Sequence, residues 1–309
     1  MNSAKTLILT ILTLASISLR AGDKEDYEWW NNQHNWDGCT HWTRYLNASA
    51  AYWGPNALPV PVMNEALISK QFSFEFRPEA HLSKGDKTFD LYTSLKIPLA
   101  ERVDFEVFIV PVEVFEMDTA TRNERYVRHI DASGMAGGDF WFGTNFTVLK
   151  ENKRRPQITA SAYFKTASGT GLDYARYTDA PGYYLSFSAG KDFTFNKHNN
   201  RTLRLFAQSG FYAYQTWDFL HNQNDCVIYG IGAKYTLPAF WLRAAFAGYV
   251  GYFNKGDRPA VLRLQAGTRY KHVNFALKYQ AGVHDFKYHS IGLSLILSFG
   301  DIDKNHSEK

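Results

Sequence analysis

The run Ser290-Ile291-Gly292-Leu293-Ser294-Leu295-Ile296-Leu297-Ser298-Phe299 has a period of two. Successive side chains of a strand point to opposite faces. Ile291, Leu293, Leu295, Leu297 and Phe299 therefore share one face, and Ser290, Gly292, Ser294, Ile296 and Ser298 the other. The first face is wholly apolar and the second almost wholly small and polar. Such a strand needs grease on one side and a polar environment on the other.

Working outward, the same alternation recurs from residue 70 onward. Phe72, Phe74 and Phe76 alternate with Ser73, Glu75 and Arg77, and Phe89, Leu91, Leu95 and Ile97 with Asp90, Tyr92, Ser94 and Lys96. Val103, Phe105, Val107 and Ile109 lie opposite Asp104 and Glu106. Further apolar sets begin at Phe140, Ile158, Tyr183, Leu203, Tyr229, Leu242, Leu262 and Val273, which with the last strand makes twelve runs. Most are ten residues or longer, the length a tilted membrane strand needs; soluble strands are nearer five or six.

The connections give an independent test. Longer links at 116–137, 166–182 and 216–226, and shorter ones at 81–87, 253–259 and near Asp285, alternate with turns at 98–102, 150–156, 193–201, 237–238 and 270–272. Membrane barrels join strands by short turns on one side and longer loops on the other. In lipid every backbone N–H and C=O must be paired, so a sheet can span only if it closes on itself. The same pattern in water would expose a large apolar band. The expectation is an all-β chain, a closed antiparallel transmembrane barrel of about twelve strands. A soluble β-sandwich also alternates, but has no reason to obey the parity of the links.

Bulk properties agree. Charge is nearly balanced at +4, which gives no reason to expect a nucleic-acid partner, and aromatic residues make up 16% of the chain. A mean hydropathy of −0.35 excludes a bundle of membrane helices. Residues 1–21 read as a secretory signal peptide, with Lys5 before an apolar core from Thr6 to Ile17 and small residues after it.

From Gln71 to Phe299 the chain resembles the Gram-negative outer-membrane β-barrel proteins, and its final strand looks like the one those barrels present to their assembly machinery. Its aromatic richness is similar to that of barrels of the Bacteroidetes, and no narrower family is marked. The resemblance implies an integral outer-membrane location in contact with outer-membrane lipid, and the even strand count places both termini in the periplasm. In that class the chain usually stops at the aromatic residue. Here a polar tail, 300–309, follows.

Residues 22–69 stand apart. They hold five of the eight tryptophans (Trp29, Trp30, Trp36, Trp42 and Trp53), and Pro55, Pro59 and Pro61 cannot donate to a ladder. The segment is either a plug or an extended lead-in, and a strand at 44–52 is a further reading. A disulfide between Cys39 and Cys226 would require it to thread the lumen.

Inward-pointing charge supplies the functional clue. Glu75, Glu79, Asp90, Asp104 and Glu106 form an expected acidic wall, with Arg77 and Lys96 beside them. Arg204, Lys234, Arg243, Arg263, Arg269 and Lys278 form an expected basic wall opposite. Transverse charge of this kind resembles a porin pore, whose lumen charges tune selectivity; an ion network stiffening a narrow lumen is the alternative. The leading functional reading is a porin-like channel for small hydrophilic solutes. The other is a non-conducting structural or partner-binding barrel, with loop 116–137 and its Arg122, Arg125 and Arg128 as the surface. Catalysis is not expected: His289 and Ser290 are adjacent on a strand and face opposite sides, the His284–Asp285 pair sits near a turn, and Asp218 with His221 reads as a solvated loop pair. No cofactor or metal site is expected, because the histidines do not fall at ligand spacing, and Gly134 to Gly138 reads as flexible loop. The number of chains per assembly is not legible.

Overall fold

The computed structural model describes residues 27–196 and 201–301. The expected signal peptide and most of the polar tail lie outside these residues. The chain forms two units, 1–39 and 40–309. In the first, the described part is a short helix, Glu28–Gln33, closed by the His34 N–H donating to the Trp30 carbonyl at 3.0 Å.

The second unit is the barrel. Its strands are β1 (Gln71–Ser83), β2 (Asp86–Ala100), β3 (Val103–Met117), β4 (Ser133–Ala136), β5 (Trp141–Leu149), β6 (Gln157–Lys165) and β7 (Gly182–Asn196). They continue with β8 (Arg201–Gln215), β9 (Gln223–Thr236), β10 (Phe240–Val250), β11 (Ala260–Thr268), β12 (Val273–His284) and β13 (His289–Asp301). All are antiparallel to their neighbours, and β1 pairs with both β2 and β13, which closes the sheet. Twelve strands make the ring; among the described residues β4 is a spur that pairs only with the C-terminal end of β3. Closure leaves no unpaired edge, the condition for a sheet in lipid.

The alternation read from the sequence places the side chains. Phe72, Phe74, Phe76, Leu185, Phe187, Leu262, Leu264, Leu293 and Phe299 are exposed on the outside, where apolar surface meets hydrocarbon, while Asp90, Asp104, Ser186, Arg263 and Ser294 are buried within.

Two links differ from expectation. Residues 81–87 are not a loop: β1 and β2 run on until only Lys84 and Gly85 separate them, and Gly85 adopts a φ of +85° that most side chains avoid. Link 116–137 is folded rather than loose. A helix, Thr119–Glu124, starts where the Asp118 side chain accepts the Thr121 N–H at 2.7 Å, and β4, Ser133–Ala136, overlaps the Gly134 to Gly138 stretch read as flexible.

Residues 40–69 form no strand. They make 3-10 turns at Trp42–Tyr45 and Ala50–Tyr52 where an extra strand was one reading. Leu46, Trp53, Leu58, Val60 and Met63 are buried in one core with barrel residues Trp141, Tyr184, Tyr212, Tyr249 and Tyr288. Each fully buried side chain of this size contributes about 1.5–3 kcal/mol. The barrel is therefore filled partly by its own preceding segment.

Candidate functional site

The interior holds the inward charges other than Arg269, and the proline-bearing segment decides where most of the basic ones go. A chain with three prolines in seven residues, 55–61, has few N–H donors, so its carbonyls must be satisfied from outside. The barrel wall does this. Arg263 on β11 donates to the carbonyls of Val60 at 2.6 Å and Pro61 at 2.9 Å. Arg243 on β10 donates to the Met63 carbonyl at 3.0 Å, and Arg204 on β8 to that of Glu65 at 2.8 Å. Tyr249 and Tyr288 hydroxyls reach the carbonyls of Leu58 at 3.1 Å and Trp53 at 3.3 Å.

Glu65 completes the clamp. Its carboxylate lies 2.9 Å from Lys234 Nζ and 3.0 Å from Arg243 Nε. Burial alone would raise its pKa, but the surrounding Lys234, Arg243 and Arg204 charges outweigh that and hold it below the ordinary 4.5. Two glycines let the segment approach: a Cβ on Gly190 would meet the Glu65 carbonyl at 2.5 Å, and one on Gly230 would meet Met63 Sδ at 2.6 Å.

The basic wall thus faces the segment rather than open lumen, with two departures. Arg269 lies beyond the end of β11, exposed, donating to the Leu237 carbonyl at 2.9 Å; its parity is inward but its strand has ended. Lys278 sits 2.5 Å from Glu75 two strands away, so it belongs with the acidic residues.

The acidic residues are largely neutralised in place. Arg77 bridges Glu75 at 2.7 Å and Glu79 at 2.9 Å and stacks over the Tyr92 ring at 3.8 Å. Lys96 lies 3.4 Å from Glu106, and Asp104 accepts the Ser69 N–H at 2.6 Å. What stays open is a cavity of about 520 Å³, lined among others by Glu75, Arg77, Tyr92, Lys96, Glu106 and Lys278, with Glu65, Leu67 and Ile68 of the segment on its other side. This is room for a small solute or a file of waters.

Several residues escaped the sequence reading. Asp86 contacts Arg125 at 2.6 Å and Arg176 at 2.8 Å, and Glu113 contacts Arg176 at 2.6 Å, all buried. Arg125 is thus turned into the barrel rather than presented on a loop surface. Glu65 was also missed, though it is the one Asp, Glu, Lys or Arg between Arg44 and Lys70, a signal that was legible.

The residues weighed for catalysis are dispersed. His289 is exposed and its Nδ1 meets the Tyr279 hydroxyl at 2.9 Å, while Asp218 caps its own loop by accepting the His221 N–H at 3.0 Å. His284 and Asp285 lie 3.3 Å apart at the β12–β13 turn, His284 exposed. Ser290 bonds His81 Nδ1 at 2.7 Å, and His81 Nε2 lies 2.9 Å from Asp90. That row has the composition of a nucleophile–base–acid set. Ser290 is buried and lies in the sheet between His81 and Gln280. Cys39, in the first unit, is exposed, and Cys226, on β9 of the barrel, is buried.

No family model and no curated protein matches the chain. Among solved structures it is similar to an outer membrane channel from Pseudomonas putida F1, at 11% identity and a TM-score of 0.54, covering 77% of this chain and 99% of that one. The KdgM porin matches with a TM-score of 0.45 at 11% identity, over 74% of this chain and 99% of its own. The likeness is one of fold, that of outer-membrane β-barrels.

Proposed function

We propose that the protein is an outer-membrane channel for small hydrophilic solutes whose lumen is held closed by its own residues 40–69. The observation that carries this reading is the clamp: Arg204, Arg243 and Arg263 hold main-chain carbonyls of 60–65, and Glu65 takes Lys234 and Arg243. A lumen stiffened only by ion pairs would not need a threaded segment, and a permanently open pore would not tolerate one. The clamp's own contacts are polar and can be exchanged for water, while the apolar packing of Leu46, Trp53, Leu58, Val60 and Met63 against the wall keeps the closed state dominant. The charged lining of the cavity supports a polar cargo.

In this reading the turns that follow β2, β5, β9 and β11 and both termini lie in the periplasm, with the tight Lys84–Gly85 turn and links 118–140 and 166–181 outside, and β13 supplies the strand presented to the assembly machinery. Planar-bilayer recording tests it. The full chain should give rare, brief current steps, and a chain lacking 46–66 sustained ones. A deletion variant that inserts as a folded, heat-modifiable barrel yet stays electrically silent overturns the proposal.

A further inference from the structure

We propose that Glu79, His81 and Asp90 form a binding site for one divalent transition-metal cation, of the zinc class, in the wall of the lumen cavity. Glu79 and His81 are two apart on β1 and so share its inward face; Asp90 on β2 is the direct cross-strand partner of Glu79. One ligand atom from each lies within 4.8 Å of the others, close enough to converge on a common cation. Like charges directly opposite on neighbouring strands are destabilising without something between them.

Charge accounting singles out Asp90. Asp86, Glu113, Glu75 and Glu79 each contact an arginine or lysine. Among the ion pairs of the described residues, Asp90 has only His81. Its Oδ2 is used, accepting from Asn56 Nδ2 at 2.5 Å and meeting His81 Nε2 at 2.9 Å. Its Oδ1 has no hydrogen-bond partner, although the side chain is wholly buried. An unpartnered buried carboxylate oxygen is costly. A cation held by this oxygen, His81 Nε2 and Glu79 would meet both deficits at once.

The surroundings fit a metal rather than a proton relay. Ser290 Oγ lies 2.7 Å from His81 Nδ1 and Asn56 holds Asp90, the outer partners that orient ligating side chains. Glu79, His81 and Ser290 line the cavity, which gives a path of entry. One imidazole with two carboxylates favours zinc or a neighbouring transition ion over magnesium or calcium, which prefer oxygen alone.

The test is calorimetric titration of the refolded full chain in detergent with Zn²⁺, beside Mg²⁺ and Ca²⁺. One equivalent of Zn²⁺ is expected, with Mg²⁺ and Ca²⁺ bound at least about tenfold more weakly. Asp90→Asn, His81→Gln and Glu79→Gln should each weaken zinc by about tenfold or more, in variants that keep heat-modifiable gel mobility. The wild-type chain alone decides the matter if variants misfold. Folded wild-type protein that takes up no stoichiometric Zn²⁺, that binds Ca²⁺ or Mg²⁺ as tightly, or whose affinity survives Asp90→Asn unchanged overturns the proposal. None of these readouts depends on conductance.

Discussion

Arg263→Gln is the most informative single perturbation of the clamp. The guanidinium reaches two carbonyls of the segment, Val60 at 2.6 Å and Pro61 at 2.9 Å, and Gln280 at 2.6 Å. Glutamine is too short to reach them and carries no charge. A hydrogen bond to a charged group contributes about 1.5–3 kcal/mol net. Two such bonds to the segment, taken at the low end because water enters when they break, sum to about 3 kcal/mol. At about 1.4 kcal/mol per factor of ten, the open-to-closed ratio should rise roughly 100-fold. Single-channel recording reads that ratio directly from dwell times. Arg269→Gln is the control, because Arg269 is exposed and touches the Leu237 carbonyl rather than the segment. Equal open fractions in Arg263→Gln and wild type, with both inserted and folded, would refute the reasoning.

The other expectations follow from the same contacts. The Glu65 carboxyl is held below 4.5, so its contribution is fully present above that pH and is lost as pH falls through the lower folded value. The open fraction should be flat from about pH 8 to about pH 5 and rise only in stronger acid, and Glu65→Gln should be raised and flat across the whole range. Asp86→Asn leaves Arg125 and Arg176 facing a neutral group; breaking a buried pair costs about 3–5 kcal/mol, which should lower the urea midpoint of barrel unfolding. Cysteine introduced at Asp131, in the 118–140 link, should react with an impermeant maleimide on intact cells, whereas one at Lys153, in the β5–β6 turn, should not; the reverse pattern inverts the proposed orientation.

The barrel was legible because alternation and link parity are local properties of the sequence. Phe72 to Phe76 and Ile291 to Phe299 declare their outward faces without knowing their partners, and closure follows from the requirement that lipid leave no edge unpaired. The site was legible only in part. Parity gave the inward direction of Arg204, Arg243 and Arg263, but not what they meet, because 60–66 is irregular and has no period to read. Arg269 was misplaced because parity does not say where a strand ends. Lys278 was assigned to the far wall because strand number was taken for position, whereas in a closed ring β12 lies two strands from β1. The Asp86–Arg176 contact spans 90 residues and joins the start of β2 to the link between β6 and β7, a pairing that only the three-dimensional structure brings together.

The central claim is that residues 40–69 close the lumen, and a covalent lock tests it most directly. Met63 Sδ lies 2.6 Å from where a Cβ on Gly230 would sit, so Met63→Cys with Gly230→Cys should cross-link the segment to β9. Placed in the Arg263→Gln background, with Cys226→Ala to remove the buried native thiol, the pair is read by single-channel recording before and after reduction. The expected result is silence when the cross-link is formed and current steps at the Arg263→Gln level once a reductant is added. Undiminished steps with the cross-link fully formed would contradict the account.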